Sequence, residues 1–365
     1  MNSLAKGGAE THLFYLASKL KQEGNDVKIC TLYSHTNTGS EDIINELNSL
    51  NIEIINLKFN KYFIFSLCYN FKKVFKNIKS FNPNILHSHL PKADIFSAII
   101  KLFHPRLIWV CTFHDAYIKN VYSGYWIFYF LKKLWNNADT VIAVSDYVRL
   151  WAENHLLIPK EKIKVINHGI IFKNKIIKKQ YNNKLPIILG SLARFEERKG
   201  FKKLVKIIEI TIKKIPNIEL HLTGDNPFGY KKEIELLIEK RNLSKNIFLY
   251  DFEKDINKFF NKIDIYLYAS SAEGFGLSLI EALSFDLPII CFDIAPLNKI
   301  VKNNENGLLI KPFDLNAFSK SLIYLVKNKQ AYINLSQNNS KEVKQKYSLE
   351  KMVFETDNLY QNHLL

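Results

Sequence analysis

Residues 270–283 read SSAEGFGLSLIEAL, so Glu273 and Glu281 bracket Gly274, Phe275, Gly276 and Leu277 directly after the apolar run IDIYLYA. The apolar run reads as a strand and SLIEAL as the start of a helix, which puts the glycines in the turn between them. Glycine lets a backbone approach a ligand closely. Amides of Phe275, Gly276 and Leu277 at a helix N-terminus would favour a bound phosphate. Carboxylates accept paired hydrogen bonds from hydroxyls. Glu273, before the turn, therefore suits sugar hydroxyls, and Glu281, a turn into the helix, suits a ribose diol. The stretch can hold a nucleotide diphosphate-sugar along its length. It can equally be a helix start with one exposed and one core-facing glutamate.

Two further turns add to this. GSLARFEERKGF (190–201) carries Arg194 and Lys199 after another strand pattern, and LTGDNP (222–227) places Gly224 and Asp225 after a third. Two fixed cations at a strand end match a diphosphate and would stabilise it as a leaving group. One basic turn is ordinarily solvated surface, but three charged turns at strand ends in one region are less readily so. The histidines are open to two readings. His87 and His89 sit two apart on a strand pattern and face one side. An HxH pair could begin a metal site, but no later His or Asp cluster completes it. His114 ends a strand and could orient hydroxyls. His12 and His168 read as helix surface and loop contact.

The elements that must position these residues alternate. DVKICTLY, IEIINL, NILHSHL, RLIWVCTFH, DTVIAVS and IKVINHG read as strands in the first half. IILGSLARF, IELHLTG, NIFLYDF, DIYLYAS and PIICFDI read as strands in the second, with helical stretches between. Fully apolar strands with helical crossovers mean parallel sheets and α/β class. With 365 residues, the chain suits two domains. The expectation is two doubly wound Rossmann-like domains facing across a cleft. They span 1–170 and 185–345, with a polar linker at 171–184 and a C-terminal helix, 346–365, packing back on the first. Ligands in such sheets sit beyond the strands' carboxyl ends, where the turns above fall. The first domain should open with a strand, yet Gly7 and Gly8 arrive after six residues. Its first strand is expected to be missing, the chain reading as an N-terminally shortened form.

The net charge of +16 is uneven: residues 1–180 hold 24 Lys+Arg against 13 Asp+Glu, or +11. That bias suggests an acidic partner, such as anionic lipid or a phosphate-bearing substrate, or simply a solubilising surface. Residues 61–80 and 117–135 mix Phe, Tyr and Trp with Lys. They can lie on an anionic membrane surface or fill a core with lysines reaching outward. No nucleic-acid fold signature appears. No apolar run approaches a membrane span, no signal peptide is recognisable, and the four cysteines form no CxxC. A reduced cytoplasmic protein is expected, with peripheral docking on the inner face of a membrane as a further expectation.

The set GGAE, HSHL, FHD, AVS, NHGI, LARFEERKGF, LTGD and EGFGLSLIEAL resembles the family-4 retaining glycosyltransferases, in order and over essentially the whole chain. The most specific element is E-x7-E, Glu273 to Glu281, with the upstream Arg-x4-Lys. The resemblance implies the GT-B fold and sugar transfer from a nucleotide diphosphate donor, most commonly UDP-linked, to a hydroxyl of a glycan or lipid-linked acceptor. It implies retention, no metal and no cofactor. Arg194 and Lys199 would bind the diphosphate with the amides at 275–277, and Gly224 and Gly274 would line the donor. Glu281 would bind ribose, and Glu273 would lie by the sugar hydroxyls. Gly7 and Gly8 would approach the phosphate and acceptor, and His114 the sugar's reacting face. The chain departs from the family where Gly-Gly-x-Pro-Glu-x-Val is usual; it reads DIAPLNKIV, with Asn298 and Lys299. That departure is expected to leave phosphate binding intact. A sugar-nucleotide epimerase of the same fold, or an inactive nucleotide-sugar-binding protein, are the alternatives.

Overall fold

The computed structural model describes the chain except residues 5–6, 35–39, 60–62, 117–131, 173–184, 252–254 and 338. It forms two units: Met1–Gly169 with Leu349–Leu365, and Ile170–Ser348. The expected linker falls almost wholly outside the described residues, as does most of 117–135.

The first unit runs α1 (Gly8–Gln22), β1 (Lys28–Thr31), α2 (Ser40–Ser49), β2 (Glu53–Asn56), α3 (Phe63–Phe81), β3 (Ile85–His89), α4 (Pro91–Phe103), β4 (Ile108–Phe113), β5 (Thr140–Ala143) and β6 (Ile163–Val165). All pairing is parallel, in the order β3-β4-β5-β6 and, separately, β1-β2. β5 is buried at every position, as expected for a strand covered on both faces. Among the described residues no regular strand joins β1–β2 to the four-stranded sheet, but the place beside β1 that was expected to be empty is taken by the first residues, and the Met1 amino group donates to the Cys30 carbonyl (3.1 Å). The carbonyls of Met1 and Asn2 accept from the amides of Leu32 and Tyr33. Leu4 is fully buried among Phe14, Ala17, Ile29, Leu47 and Ile52. The C-terminal helix Leu349–Leu364 belongs to this unit, as expected. Its Met352, Val353, Leu359 and Tyr360 pack with Leu16, Leu20, Val110 and Ile142. Each such side chain contributes about 1.5–3 kcal/mol by leaving water.

The second unit holds β7 (Ile187–Leu192), β8 (Ile218–Thr223), β9 (Ile247–Leu249), β10 (Ile265–Tyr268), β11 (Ile289–Phe292) and β12 (Gly307–Ile310), in the order β12-β11-β10-β7-β8-β9, all parallel. This is the doubly wound arrangement, with the switch point between β7 and β10. The five expected strands are all present. The sixth, β12, escaped the sequence reading because GLLI is only four residues long, behind a run of polar turn residues.

Candidate functional site

Each unit holds one polar centre. In the second, the three turns singled out by sequence are stitched together. The amide of Ala193, just past β7, donates to the Thr223 carbonyl (3.1 Å), and the Phe195 amide donates to the Asp225 carbonyl (2.7 Å). Gly224 (φ 155°) makes this approach possible: a Cβ there would lie 1.7 Å from the Ala193 oxygen. On the other side, the Ser271 amide (2.8 Å) and the Ser270 hydroxyl (3.0 Å) both donate to the Arg198 carbonyl. The loops after β7, β8 and β10 thus form one surface at the switch point.

Lys199 and Glu273 meet at its middle. The ammonium donates to both carboxylate oxygens (2.7 and 2.8 Å), and the Tyr268 hydroxyl donates to Oε1 (2.7 Å). The two side chains are 12% and 6% exposed. Burial alone would raise the Glu273 carboxyl, but the neighbouring Lys199 and Arg198 cations outweigh it and hold the group below its ordinary range. Burial pushes the Tyr268 phenol well up, which keeps it a donor. Arg194 and Glu281 are different. Both are half-buried, and neither charged group has a hydrogen-bond or ion-pair partner among the described residues. Burial raises the Glu281 carboxyl to about 7.

Glu281 sits on the helix Leu277–Ser284, whose N-cap is Gly276 (φ 101°) and whose first turn has no side-chain cap. Its N–H groups and the positive end of its dipole suit an anion. Phe275 is buried edge-on to Tyr347, with ring centroids 5.6 Å apart. A Cβ on Gly276 would meet Leu297 Cδ2 at 2.7 Å. The DIAPLNKIV loop therefore packs directly on the Gly276 turn, closer than its sequence position suggests.

The first unit's centre is made of histidines. His12 Nδ1 lies 2.8 Å from His168 Nδ1, His168 Nε2 3.3 Å from His114 Nδ1, and His114 Nε2 3.0 Å from His89 Nδ1. A neutral imidazole has one donor and one acceptor nitrogen, so the protons in this chain all point in one sense. His89 Nε2 ends it, buried without a partner among the described residues. His87 stands beside His89 and engages Tyr360 Oη (2.5 Å) and Thr112 Oγ1 (2.7 Å). Burial lowers every one of these groups: His12 to about 4, His87 to about 3, and His89, His114 and His168 well below the usual value.

One expectation is corrected here. His12 is not helix surface but buried, at 4% exposure, while His168 is a loop residue in contact with it and equally buried. The signal for His12 was its spacing: His12, Leu16 and Leu20 fall on one face of α1. His114 has both ring nitrogens held by other histidines, so it meets a hydroxyl only by releasing one of them. Gly7 is extended (φ −165°) and caps α1 without a side-chain bond, and Gly8 is exposed. Gly7 needs no special backbone freedom, but the helix start beside it is open. Arg198, Ser270 and Tyr268 were not singled out by sequence. Their roles come from contacts across more than one loop, except Tyr268, five residues from its partner.

Set beside known proteins, residues 6–172 match the model of Glycosyltransferase Family 4, and residues 172–342 that of Glycosyl transferases group 1. An uncharacterized glycosyltransferase of Haemophilus influenzae is 24% identical over 368 residues, covering 97% of this chain and 96% of its own. The capsular polysaccharide biosynthesis glycosyltransferase CapM of Staphylococcus aureus is 24% identical over 296 residues, 77% of each chain. Among solved structures, Anabaena Alr3699/HepE in complex with UDP-glucose superimposes with a TM-score of 0.84 over 99% of this chain and 98% of its own, at 18% identity. That likeness speaks for the fold.

Proposed function

This chain belongs to the family-4 glycosyltransferases and has their GT-B fold, and from that premise we propose that it transfers a sugar, with retention, from a UDP-linked donor to a hydroxyl of a glycan or lipid-linked acceptor in cell-surface polysaccharide synthesis. The relative CapM, named for capsular polysaccharide biosynthesis, supports the setting. The observation that carries the donor reading is the joined surface of the second unit. Arg194 and Glu281, whose charged groups have no partner among the described residues, and a helix start without a side-chain cap at Gly276 lie on loops and a helix at one sheet switch point.

The diphosphate would sit against Arg194 and the amides at 275–277, with the ribose diol on Glu281. Departure of the nucleotide leaves negative charge on the diphosphate, and these groups are already in place to receive it without reorganisation. Lys199 is paired with Glu273. Its contribution would be to hold that carboxylate ionised and pointed at sugar hydroxyls, and to share its cation with phosphate once donor is bound. Charge on the diphosphate is then met by protein groups and no metal ion is required. Glu273 and Glu281 come from one loop and its helix, so both act on donor and neither is placed as the opposed pair of a glycoside hydrolase. A lipid-linked acceptor would bring the enzyme to the inner face of the membrane.

The test begins with thermal shift across nucleotide-sugars, since a ligand stabilises by mass action. UDP-sugars should raise the melting temperature, and Arg194→Ala should abolish the rise and cut kcat/KM about 100-fold. Turnover should survive a chelator, and the product's anomeric configuration should match the donor's. Product formed without acceptor would indicate an epimerase. Inversion, chelator sensitivity or an indifferent Arg194 variant would each remove the corresponding element of the proposal.

A further inference from the structure

From Ile54 to Ala93 the chain has seven lysines and no acidic residue. The next acid, Asp94, is buried, with its carboxylate accepting from Ser88 Oγ (2.7 Å) and Trp135 Nε1 (3.0 Å), so it shows no charge to solvent. Nearly half of this segment is α3, with four of the seven lysines. Its buried positions Ser66, Asn70 and Val74 face inward. Tyr69, Lys72, Lys76 and Lys79, spaced three, four and three apart, make one outward stripe, and all four are exposed. None of the three lysines forms an ion pair among the described residues. Lysines elsewhere commonly do: Lys202 pairs with Glu233, Lys231 with Asp251 and Lys346 with Glu342.

Beside the stripe lies an apolar ridge. Phe71, Phe75 and Phe103 meet one another with ring centroids 4.3 to 5.5 Å apart, which joins α3 to the end of α4. Tyr69 is 84% exposed, Leu102 65% and Phe103 61%. Arg106, just beyond, is exposed as well. Large apolar side chains in water next to unpaired lysines are poor design for a merely soluble face. They are what an interfacial helix presents to a bilayer: aromatic and aliphatic groups enter at headgroup depth while lysines reach the phosphates. With four lysines in its 19 residues, α3 is far too charged to cross, and no helix among the described residues is long and apolar enough to do so.

We propose that the α3 stripe and the Phe71–Phe75–Phe103 ridge form a docking surface for an anionic lipid bilayer. The exposed Tyr69, Leu102 and Phe103 select a bilayer over a soluble polyanion, which would need the cations but not the apolar groups. The surface stands apart from the donor reading, because docking needs no nucleotide-sugar.

The test is co-sedimentation of the full chain with phosphatidylcholine vesicles, with and without phosphatidylglycerol. Binding should require phosphatidylglycerol and weaken with salt. The triple reversal Lys72→Glu, Lys76→Glu, Lys79→Glu should weaken it roughly 100-fold. Lys213→Glu, Lys214→Glu, Lys240→Glu, an equal charge change at exposed sites of the other unit, should weaken it less than about threefold. Tyr69→Ser with Phe103→Ser should lower binding at both low and high salt. Equal loss in the two triple variants would make net charge the cause and overturn the surface. So would an unaffected aromatic variant, or binding to heparin but not to vesicles. Melting temperatures of the variants, expected unchanged, separate docking from folding.

Discussion

The two units each bury a polar cluster and treat it in opposite ways. In the second, Glu273 is buried beside cations and stays ionised, its burial cost offset by Lys199 at 2.7 Å and by Arg198. In the first, five histidines share a core, and burial together with their neighbouring rings holds them neutral. The same low-polarity surroundings preserve charge where a counter-charge is present and strip it where only like groups gather. A buried cluster's charge is therefore set by who its neighbours are, and both arrangements are vulnerable, but to different insults.

The largest effect should come from breaking the pair. Lys199→Ala leaves Glu273 buried without the cation bonded to it and should cost about 3–5 kcal/mol in urea unfolding, while Lys199→Met with Glu273→Leu should recover most of it. A single variant that loses less than about 1 kcal/mol would mean that solvent already reaches the pair. Next is pH. The folded-state values of His12 and His87, about 4 and about 3, lie below the ordinary 6.5. Their contribution is whole above about pH 6.5 and is lost as pH falls through the folded values, with His12 alone worth about 3 kcal/mol. Glu273 is held below its own ordinary 4.5, so its contribution is present above that pH and lost only as pH falls further. Protection against hydrogen exchange, corrected for the intrinsic pH dependence of the amides, should therefore fall more in the first unit than in the second between about pH 6.5 and 4.5. Parallel loss in both would defeat the contrast. The smallest effect on stability should be Arg194→Ala, within about 0.5 kcal/mol because no partner is abandoned, despite its large expected effect on donor use. A clear drop in its urea midpoint would show that Arg194 serves the fold.

Much was legible before any coordinates. Apolar runs marked eleven of the twelve strands, because a strand buried on both faces must be apolar throughout. Glycines marked the turns at Gly224 and Gly276, because a side chain at either would collide with Ala193 or Leu297. Glu273, Glu281, Arg194 and Lys199 stood out by type and spacing, which are local properties. What local spacing cannot carry is partnership across the chain. Lys199 and Glu273 are 74 residues apart, and His12 and His168 are 156 apart. Only the packing of parallel strands, which brings successive loops to one sheet end, decided that Lys199 is bound while Arg194 is open. It likewise decided that a helix residue read as surface and a loop residue read as a contact would meet in a core. The sequence determined which groups could do chemistry; the tertiary structure determined which of them are charged, and which are free, because charge state and hydrogen bonding depend on neighbours distant along the chain.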